Sequence, residues 1–266
     1  MAKDDEQDDT ATLLVRDEES TRWLTLNRPD NGNSFTTEML VQLKAELDRA
    51  RGDRSVRVVV ITGAGDRFFC IGGEKEPPPA ELDYSTVAPV VDVYQAIDQM
   101  PKPVIAAVNG YAVGGGHVLQ VMCDLTIAAE SAVFRQVGPL VGSFDAGFGT
   151  WYLEDLIGRK RAKEMWFLNE KITAARASEL GLVNFVVPDA ELHERTAALA
   201  SDLAKRGGQA LAAIKQSFAA RTGGAGGFSR VAHDLLLRDY LMTEEAAEMQ
   251  ASFAARRDAD PEASWR

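Results

Sequence analysis

Apolar and polar residues alternate near the start of the chain, over residues 12–16 and again over residues 23–26. This period of two predicts a short antiparallel pair of strands. Residues 36–51 repeat apolar side chains at helical spacing, which predicts a helix. Residues 56–62 form a β-branched run. Because such runs are usually buried on both faces, this one predicts a parallel strand covered by helices.

The alternation of strand and helix continues to about residue 134. Helices are predicted at residues 88–100 and 117–122, and buried strands at 104–108 and 125–129. This order favours a parallel sheet with crossover helices, so the predicted fold class is α/β. From residue 147 onward the pattern is mostly helical, over residues 160–168, 174–180, 190–205, 210–221 and 228–257, with one strand at 183–187.

The composition divides the chain into three predicted parts. Residues 1–10 are acidic and polar and are expected to form a disordered tail. Residues 11–200 are expected to form the core, and residues 201–266 a C-terminal helical region. Residues 74–86 contain three consecutive prolines and four acidic residues, which predicts an irregular loop over a site. We find no internal sequence repeat.

Composition and charge exclude several classes of protein. With 266 residues, of which 45% are hydrophobic, the chain fits one globular domain with a helical appendage. A net charge of −11 disfavours nucleic acid as a partner, although helix ends can still bind small anions. The two cysteines, Cys70 and Cys123, have apolar neighbours, which excludes a disulfide framework and favours the cytoplasm. No apolar run reaches the ~20 residues of a membrane span, and the acidic N-terminus is not a signal peptide.

The common motifs of cofactor and metal sites are absent from the sequence. It has no dinucleotide fingerprint, no P-loop and no nucleophile elbow. The three histidines, His117, His193 and His233, lack the spacing of metal ligands, so no metal site is predicted. His117 begins an apolar helix, where a histidine is more often packed than catalytic.

Two glycine clusters are candidates for binding a negatively charged oxygen. Gly72-Gly73 closes a strand, and Gly114-Gly115-Gly116 opens a helix. Glycine lets the backbone approach a ligand closely, and a helix N-terminus presents free N–H groups. Together the clusters could form an oxyanion hole. Each cluster taken alone also fits a tight turn or close helix packing.

A third segment, residues 136–149, places Ser143 and Asp145 among glycine and aromatic residues. A carboxylate in such surroundings would be partly desolvated, which raises its pKa toward the range useful for acid–base catalysis. The alternative is an Asx turn in which Asp145 caps the helix that follows. The segment by itself favours the cap.

Further motifs occur in the order that they have in the crotonase superfamily, which the chain resembles from about Thr21 to Arg257. They are Asn27-Arg28-Pro29 and residues 59–63, 69–73, 101–106, 109–116, 123–128 and 181–184. The resemblance implies a spiral of ββα repeats with a C-terminal helical region that completes trimers. It also implies that the oxyanion donors are the N–H groups of Gly73 and Gly115.

Within the superfamily, enoyl-CoA hydratases have two catalytic glutamates, and their positions here hold Val118 and Gly138. Hydration with paired glutamates is therefore not expected. The segments around Ser143 and Asp145 instead look like those of dihydroxynaphthoyl-CoA synthase and ketocyclohexanecarboxyl-CoA hydrolase. Both relatives make or break a C–C bond beta to a thioester, and both use the serine and aspartate that match Ser143 and Asp145.

The chain departs from the synthase at several positions. Gly32 stands where the synthase has an arginine that contacts CoA phosphate, and Thr36 replaces another arginine. The synthase tyrosine before Met-Thr-Glu-Glu is shifted by one residue, to Tyr240. The loop predicted at residues 74–86 lacks the arginine that the synthase has there, and its only candidate substrate contacts are Lys75 and Tyr84. These departures leave open whether the carrier is CoA.

The sequence therefore predicts an acyl-CoA enzyme that makes or breaks a C–C bond through an oxyanion-stabilised enolate. Another crotonase activity, such as isomerisation or hydrolysis of a non-CoA β-diketone, and a non-catalytic scaffold are the alternatives. Asp145, Ser143, Gly73 and Gly115 are the predicted catalytic residues. The predicted substrate contacts are Tyr84, Lys75, Gln136, Gly138, Phe144, His117, Arg256 and Arg257.

The predicted partners are a small acyl thioester and other copies of the chain, as a homotrimer or hexamer. No nucleic acid, membrane or metal partner is expected. No cofactor is expected besides CoA as the carrier of the substrate. Bicarbonate at Gln136 and Gly138 is implied by the resemblance alone.

Overall fold

The computed structural model describes residues 11–74, 89–145, 147–221, 223, 233 and 236–260. The tail predicted at residues 1–10 and nearly all of the loop predicted at 74–86 lie outside these ranges. Strands β1 (Leu13–Glu18) and β2 (Thr21–Leu26) pair antiparallel, which confirms the first prediction from the apolar pattern.

The helices and strands follow the predicted alternation through the first half of the chain. They are α1 (Thr37–Gly52), β3 (Val58–Gly63), β4 (Phe68–Cys70), α2 (Pro89–Asp98), β5 (Val104–Val108), β6 (Tyr111–Val113), α3 (Gly115–Met122), β7 (Leu125–Ala129) and β8 (Val133–Arg135). The second half is mainly helical. It contains α4 (Phe148–Ile157), α5 (Arg159–Leu168), β9 (Ile172–Thr173), α6 (Ala174–Leu180), β10 (Phe185–Val187), α7 (Leu192–Ala204), α8 (Gly208–Arg221), α9 (Leu237–Leu241) and α10 (Glu244–Ala255).

The strands of the described residues form two sheets. The larger has six strands in the order β1-β2-β3-β5-β7-β10, and all its pairs except β1-β2 are parallel. The smaller has four strands in the order β4-β6-β8-β9, and only β8-β9 is antiparallel. Consecutive strands β3-β4, β5-β6 and β7-β8 each give one strand to each sheet before the chain enters a helix. The α/β fold with ββα repeats is thereby confirmed.

The large sheet is buried on both faces, as the β-branched run predicted. Val59 and Ile61 of β3 face the main core, while Val58 and Val60 face a second apolar cluster that includes Leu192 of α7. Side chains that alternate along a strand point to opposite faces, so one short strand serves both cores. Strands β6, β8 and β9 were not predicted, because runs of two or three residues show no measurable period.

The C-terminal helices pack on their own chain. Helix α10 contacts the 3-10 turn Gly138–Val141, and a Cβ added at Gly142 would lie 2.5 Å from Ala246 O. The trimer predicted for this region remains a prediction. Both cysteines, Cys70 and Cys123, are buried and free, as expected. None of the helices in the described ranges is long and apolar enough to cross a membrane.

Candidate active site

The two glycine clusters come together at the edge of the small sheet. Strand β4 pairs with β6, so the turn after β4 lies against the turn that opens α3. A Cβ added at Gly72 would lie only 2.9 Å from Gly115 N. Gly72 has φ of 93° and Gly114 has φ of 54°, which are values that favour glycine. Both clusters therefore serve one close approach of two backbone segments.

The predicted oxyanion donors, Gly73 and Gly115, lie on either side of this approach. Gly73 is held in a single bridge to Phe35, in which Phe35 N donates to Gly72 O at 2.8 Å and Glu74 N donates to Phe35 O at 2.9 Å. Gly115 is the first residue of α3, where an N–H has no acceptor within the helix. Within the described ranges neither N–H donates to a protein acceptor. Two free N–H groups, of which the one on Gly115 lies at a helix N-terminus, are suited to a developing oxyanion.

Tyr94 of α2 supports this pair of donors, although the sequence analysis did not identify it. Its hydroxyl donates to Gly115 O at 2.9 Å, and its side chain is fully buried. Burial, and then the charge of Asp145, raise the pKa of Tyr94 well above its ordinary value. The tyrosine therefore stays neutral and acts as a donor. A tyrosine on the apolar face of a predicted helix was the available signal, because a buried tyrosine hydroxyl needs a partner.

Asp145 lies in an apolar setting beside α3, α4 and α5. A Cβ added at Gly149 would lie 2.7 Å from Val118 Cγ2 and 3.3 Å from both Asp145 Oδ1 and Trp166 Cζ2. The three side chains therefore converge on one point. Asp145 Oδ1 is buried and has no hydrogen-bond partner in the part of the chain that the structure describes. A desolvated carboxylate that is not satisfied by the protein is typical of a catalytic base.

The interpretation of Asp145 as a helix cap is wrong. Helix α4 begins at Phe148 and its N-cap is Gly147. Thr150 Oγ1 accepts from Gly147 N at 3.3 Å and donates to Gly147 O at 3.1 Å. The threonine therefore satisfies the first turn, and the Asp145 carboxylate is left for another role.

A cavity of about 280 Å³ opens beside Asp145. Phe144 and Trp166 are among the apolar side chains that line it, and its charged lining residues are Glu154, Arg159 and Lys163. Phe144 also packs against Tyr240, with ring centroids 5.5 Å apart. The hydroxyl of Tyr240 donates to Glu245 at 2.9 Å, so this tyrosine is engaged with its own helical segment.

Ser143, Gly138 and Gln136 belong to the loop that carries Asp145. Ser143 N donates to Gly138 O at 2.9 Å, which folds the loop back on itself. Gln136 is buried, and its Nε2 lies 2.7 Å from His117 Nδ1. Burial lowers the pKa of His117 to about 3, so this histidine is neutral and supports Gln136.

The sites of the two hydratase glutamates are both close to this loop. Val118 is fully buried and contacts the position of Gly149, and Gly138 begins the 3-10 turn. A Cβ on Gly138 would lie 2.8 Å from Ser143 O, so the loop itself occupies the space of a side chain. The cavity beside this loop is lined by the carboxylates of Asp145 and Glu154.

The sequence analysis noted His233 only as one of three scattered histidines. The structure places its Nε2 3.6 Å from Asp145 Oδ1, with side-chain exposures of 7% and 14%. Nothing in the local sequence of His233 shows this, because 88 positions of the chain separate the two residues in sequence.

Several predicted CoA contacts remain predictions. Lys75 and Tyr84 lie outside the described residues. Arg257 is engaged in an ion pair with Glu248 at 2.6 Å, and Arg256 ends α10 with φ of 53°.

The backbone at Gly32 leaves little room for a side chain. Gly32 has φ of 63°, and a Cβ there would lie 2.7 Å from Ile71 Cδ1. Restoring the arginine that the synthase has would therefore strain the backbone and displace Ile71. Gly32→Arg is not a clean test of CoA binding.

For bicarbonate, the residues fit a small polar group in one respect. Gln136 Oε1 is buried without a partner in the described residues and can accept only from the hydroxyl of bicarbonate, whereas Trp166 Nε1, also buried and unpaired there, is a donor. Either atom could satisfy a small buried ligand. Bicarbonate itself stays a prediction.

The chain is similar to known proteins in both sequence and fold. The family model for enoyl-CoA hydratase/isomerase matches residues 16–263. A monofunctional enoyl CoA isomerase from M. smegmatis is 34% identical with a TM-score of 0.70, over 80% of this chain and 95% of that one. An enoyl-CoA hydratase from Mycobacterium avium subsp. paratuberculosis is 28% identical with a TM-score of 0.81, over 94% and 98%. An enoyl-CoA hydratase/isomerase from Pseudoalteromonas atlantica is 25% identical with a TM-score of 0.85, over 94% and 99%.

Proposed function

The chain belongs to the enoyl-CoA hydratase/isomerase family, and from this premise we propose that it is an acyl-CoA enzyme that makes or breaks a C–C bond beta to the thioester. The observation that carries the proposal is the buried carboxylate of Asp145 beside Tyr94 and the free N–H of Gly115. Val118 stands where the hydratases that the chain resembles have a glutamate, which disfavours addition of water to a double bond.

In the cleaving direction, the substrate is a cyclic β-keto acyl thioester. Asp145 removes a proton from water as the water oxygen attacks the ring ketone. The bond between the former ketone carbon and the α carbon then breaks, and its electron pair forms the thioester enolate. The N–H groups of Gly73 and Gly115 stabilise the enolate oxygen. Asp145 returns the proton to the α carbon, so one C–C bond and one water become a C–H bond and a carboxylic acid.

In the joining direction, the same groups work in reverse order. Asp145 removes the α proton, the enolate forms at the two N–H groups, and the α carbon attacks the carbon of a carboxylic acid. The acid's hydroxyl then leaves as water with the proton that Asp145 holds, and the ring ketone is formed. Ser143 is suited to orient that carbonyl. Bicarbonate held at Gln136 and Gly138 would supply a second base if it is bound.

The oxyanion donors are expected to provide a large part of the rate acceleration. One such donor is typically worth about 3–4 kcal/mol in turnover. The donors stabilise the enolate more than the ground-state thioester, so they act on the transition state. The hydrogen bond from Tyr94 to Gly115 O holds the peptide that follows the Gly115 donor, so the first turn of α3 is fixed before the reaction begins.

Double-bond isomerisation is the second candidate. It needs one base that moves a proton from one carbon to another, and a single carboxylate such as Asp145 is sufficient for it. The 34% identity to a monofunctional enoyl CoA isomerase also favours it. A non-catalytic scaffold is disfavoured, because it would not need an unsatisfied buried carboxylate.

Two substrates distinguish these candidates. We expect the protein to open the ring of ketocyclohexanecarboxyl-CoA, with loss of the β-keto thioester absorbance and appearance of a carboxylic acid by mass spectrometry. Conversion of a β,γ-enoyl-CoA to the α,β-isomer, without ring opening, would refute C–C chemistry and support the isomerase. Inactivity on both, with no hydrogen exchange at the α carbon of an acyl-CoA in heavy water, would refute both.

We also propose that the protein assembles with itself, as a trimer or a dimer of trimers. Large apolar side chains are exposed on the helical half of the chain, where Phe167 is 68% exposed and Met242 is 66% exposed. Exposed apolar surface of this kind is typical of subunit contacts. A monomer in light scattering at micromolar concentration would contradict assembly.

A further inference from the structure

We propose that His233, supplied by the C-terminal helical segment of the same chain, is a positioning residue for the carboxylate of Asp145. The two side chains lie 3.6 Å apart, from His233 Nε2 to Asp145 Oδ1, and are 7% and 14% exposed. The inference deepens the proposed function, since it rests on Asp145 as the base.

The first argument is the state of Asp145 Oδ1. This oxygen is buried and makes no hydrogen bond in the described part of the chain. A buried carboxylate oxygen without a donor is costly, so a nearby donor is expected. His233 Nε2 is the nitrogen that the structure brings within ion-pair distance. A shift of somewhat less than ~1 Å would make a hydrogen bond, and catalytic hydrogen bonds often tighten in this way on substrate binding.

The second argument is how the C-terminal segment covers the loop. Gly142 meets the backbone of Ala246, Phe144 packs on the ring of Tyr240, and Asp145 meets His233. As the loop advances from Gly142 to Asp145, its contacts on the C-terminal segment move backward along the chain from Ala246 to His233. The contact between His233 and Asp145 is thus the last of a series of contacts that hold the C-terminal segment against the loop.

The chemistry follows from these positions. When Nε2–H of His233 donates to Oδ1, the carboxylate cannot rotate freely, and Oδ2 is left to take and return the proton. The tautomer that this requires carries its proton on Nε2. Other titratable groups lie near Asp145. Tyr94 of α2 interacts with it electrostatically, and Glu154 of α4 with Arg159 and Lys163 of α5 lines the same cavity. A readout specific to the pair is therefore needed.

The first experiment measures hydrogen exchange at the α carbon of an acyl-CoA in heavy water, together with turnover of ketocyclohexanecarboxyl-CoA. His233→Ala should lower both rates by up to about 100-fold at nearly unchanged KM, since a misplaced catalytic group costs about that much. Added imidazole and the variant His233→Gln, which retains an N–H donor, should restore part of the rate. His193→Ala is the matched control, because His193 is an exposed histidine stacked on Trp23. Its exchange rate and turnover should equal those of the wild type.

A double-mutant cycle separates positioning from a structural role. If His233 acts through Asp145, His233→Ala should have no further effect in an Asp145→Asn background. If it only supports the helix, its loss should lower the melting temperature and add to the effect of Asp145→Asn. Additive losses, or full exchange activity in His233→Ala, would overturn the proposal.

The second experiment does not require turnover. A nearby carboxylate raises the pKa of a histidine, so Asp145→Asn should lower the pKa of His233 in an NMR titration. His233→Gln identifies its signals among those of the three histidines of the chain. An unchanged pKa would overturn the pairing even if the protein is active. If the wild type neither exchanges nor turns over, the proposed function fails, and the titration still decides whether the pair exists.

Discussion

Replacing Asp145 with asparagine separates catalysis from stability. The substitution keeps the shape of the side chain and removes the charge and the ability to exchange a proton near neutral pH. If Asp145 is the base, turnover should fall by about 10²–10⁴-fold, which is the usual contribution of a general base. This expectation applies equally to ring opening and to isomerisation.

The effect of Asp145→Asn on stability follows from the contacts of the carboxylate. Asp145 is not the N-cap of α4, and its Oδ1 has no hydrogen-bond partner in the described residues. The substitution removes the cost of burying an unbonded charge, and it forfeits the attraction to His233 at 3.6 Å. Because the two effects oppose each other, the free energy of unfolding should change by less than about 1 kcal/mol. That corresponds to about 2–4 °C in melting temperature for a domain of this size.

The assay combines thermal unfolding with steady-state kinetics on the same preparations. Asp155→Asn on α4 is the matched control, since Asp155 forms an ion pair with Arg221 and is 46% exposed. It should change neither melting temperature nor turnover appreciably. The reasoning would be refuted by an Asp145→Asn protein that keeps more than about a tenth of the wild-type turnover, because a general base contributes at least ~10².

Three further predictions concern the donors, the turn at position 32 and the end of α10. Tyr94→Phe removes one hydrogen bond, so it should cost about 1 kcal/mol in denaturant unfolding and lower turnover by roughly tenfold. Gly32→Ala should destabilise by about 1–3 kcal/mol because φ is 63°, whereas Gly52→Ala, with open space around it, should be neutral or stabilising by up to about 1 kcal/mol. Calorimetry should show a lower melting temperature for Gly32→Ala and an equal or higher one for Gly52→Ala. Equal losses of stability in the two variants would contradict the argument from the positive φ of Gly32. The hydrogen bond from Arg257 lowers the pKa of Glu248 from 4.5 to about 2, so this pair should stabilise the fold above pH 4.5 and lose its effect as the pH falls toward 2. The free energies of unfolding of Arg257→Gln and the wild type should therefore converge as the pH falls toward 2. A difference that stays constant with pH would contradict a contribution from this pair.

The sequence by itself determined the fold class and the position of most elements. Strands such as β3 and β5 are continuous apolar runs, and helices such as α1 repeat apolar residues every three or four positions, so local patterns were sufficient. The glycine clusters were also visible, because only glycine tolerates the backbone at Gly72 and Gly114. The local apolar pattern did not show the ββα repeat, since the second strand of each unit is three residues long, and only the family resemblance implied it.

Only the tertiary structure decided what surrounds the candidate base. The sequence left Asp145 open as a cap or a base, and the structure excluded the cap by placing Gly147 and Thr150 at the start of α4. Tyr94 and His233 became candidates only when folding brought them to Gly115 and Asp145. Local patterns record which face of an element is buried. The partners of a buried polar group come from distant segments, so they depend on packing that no local pattern contains.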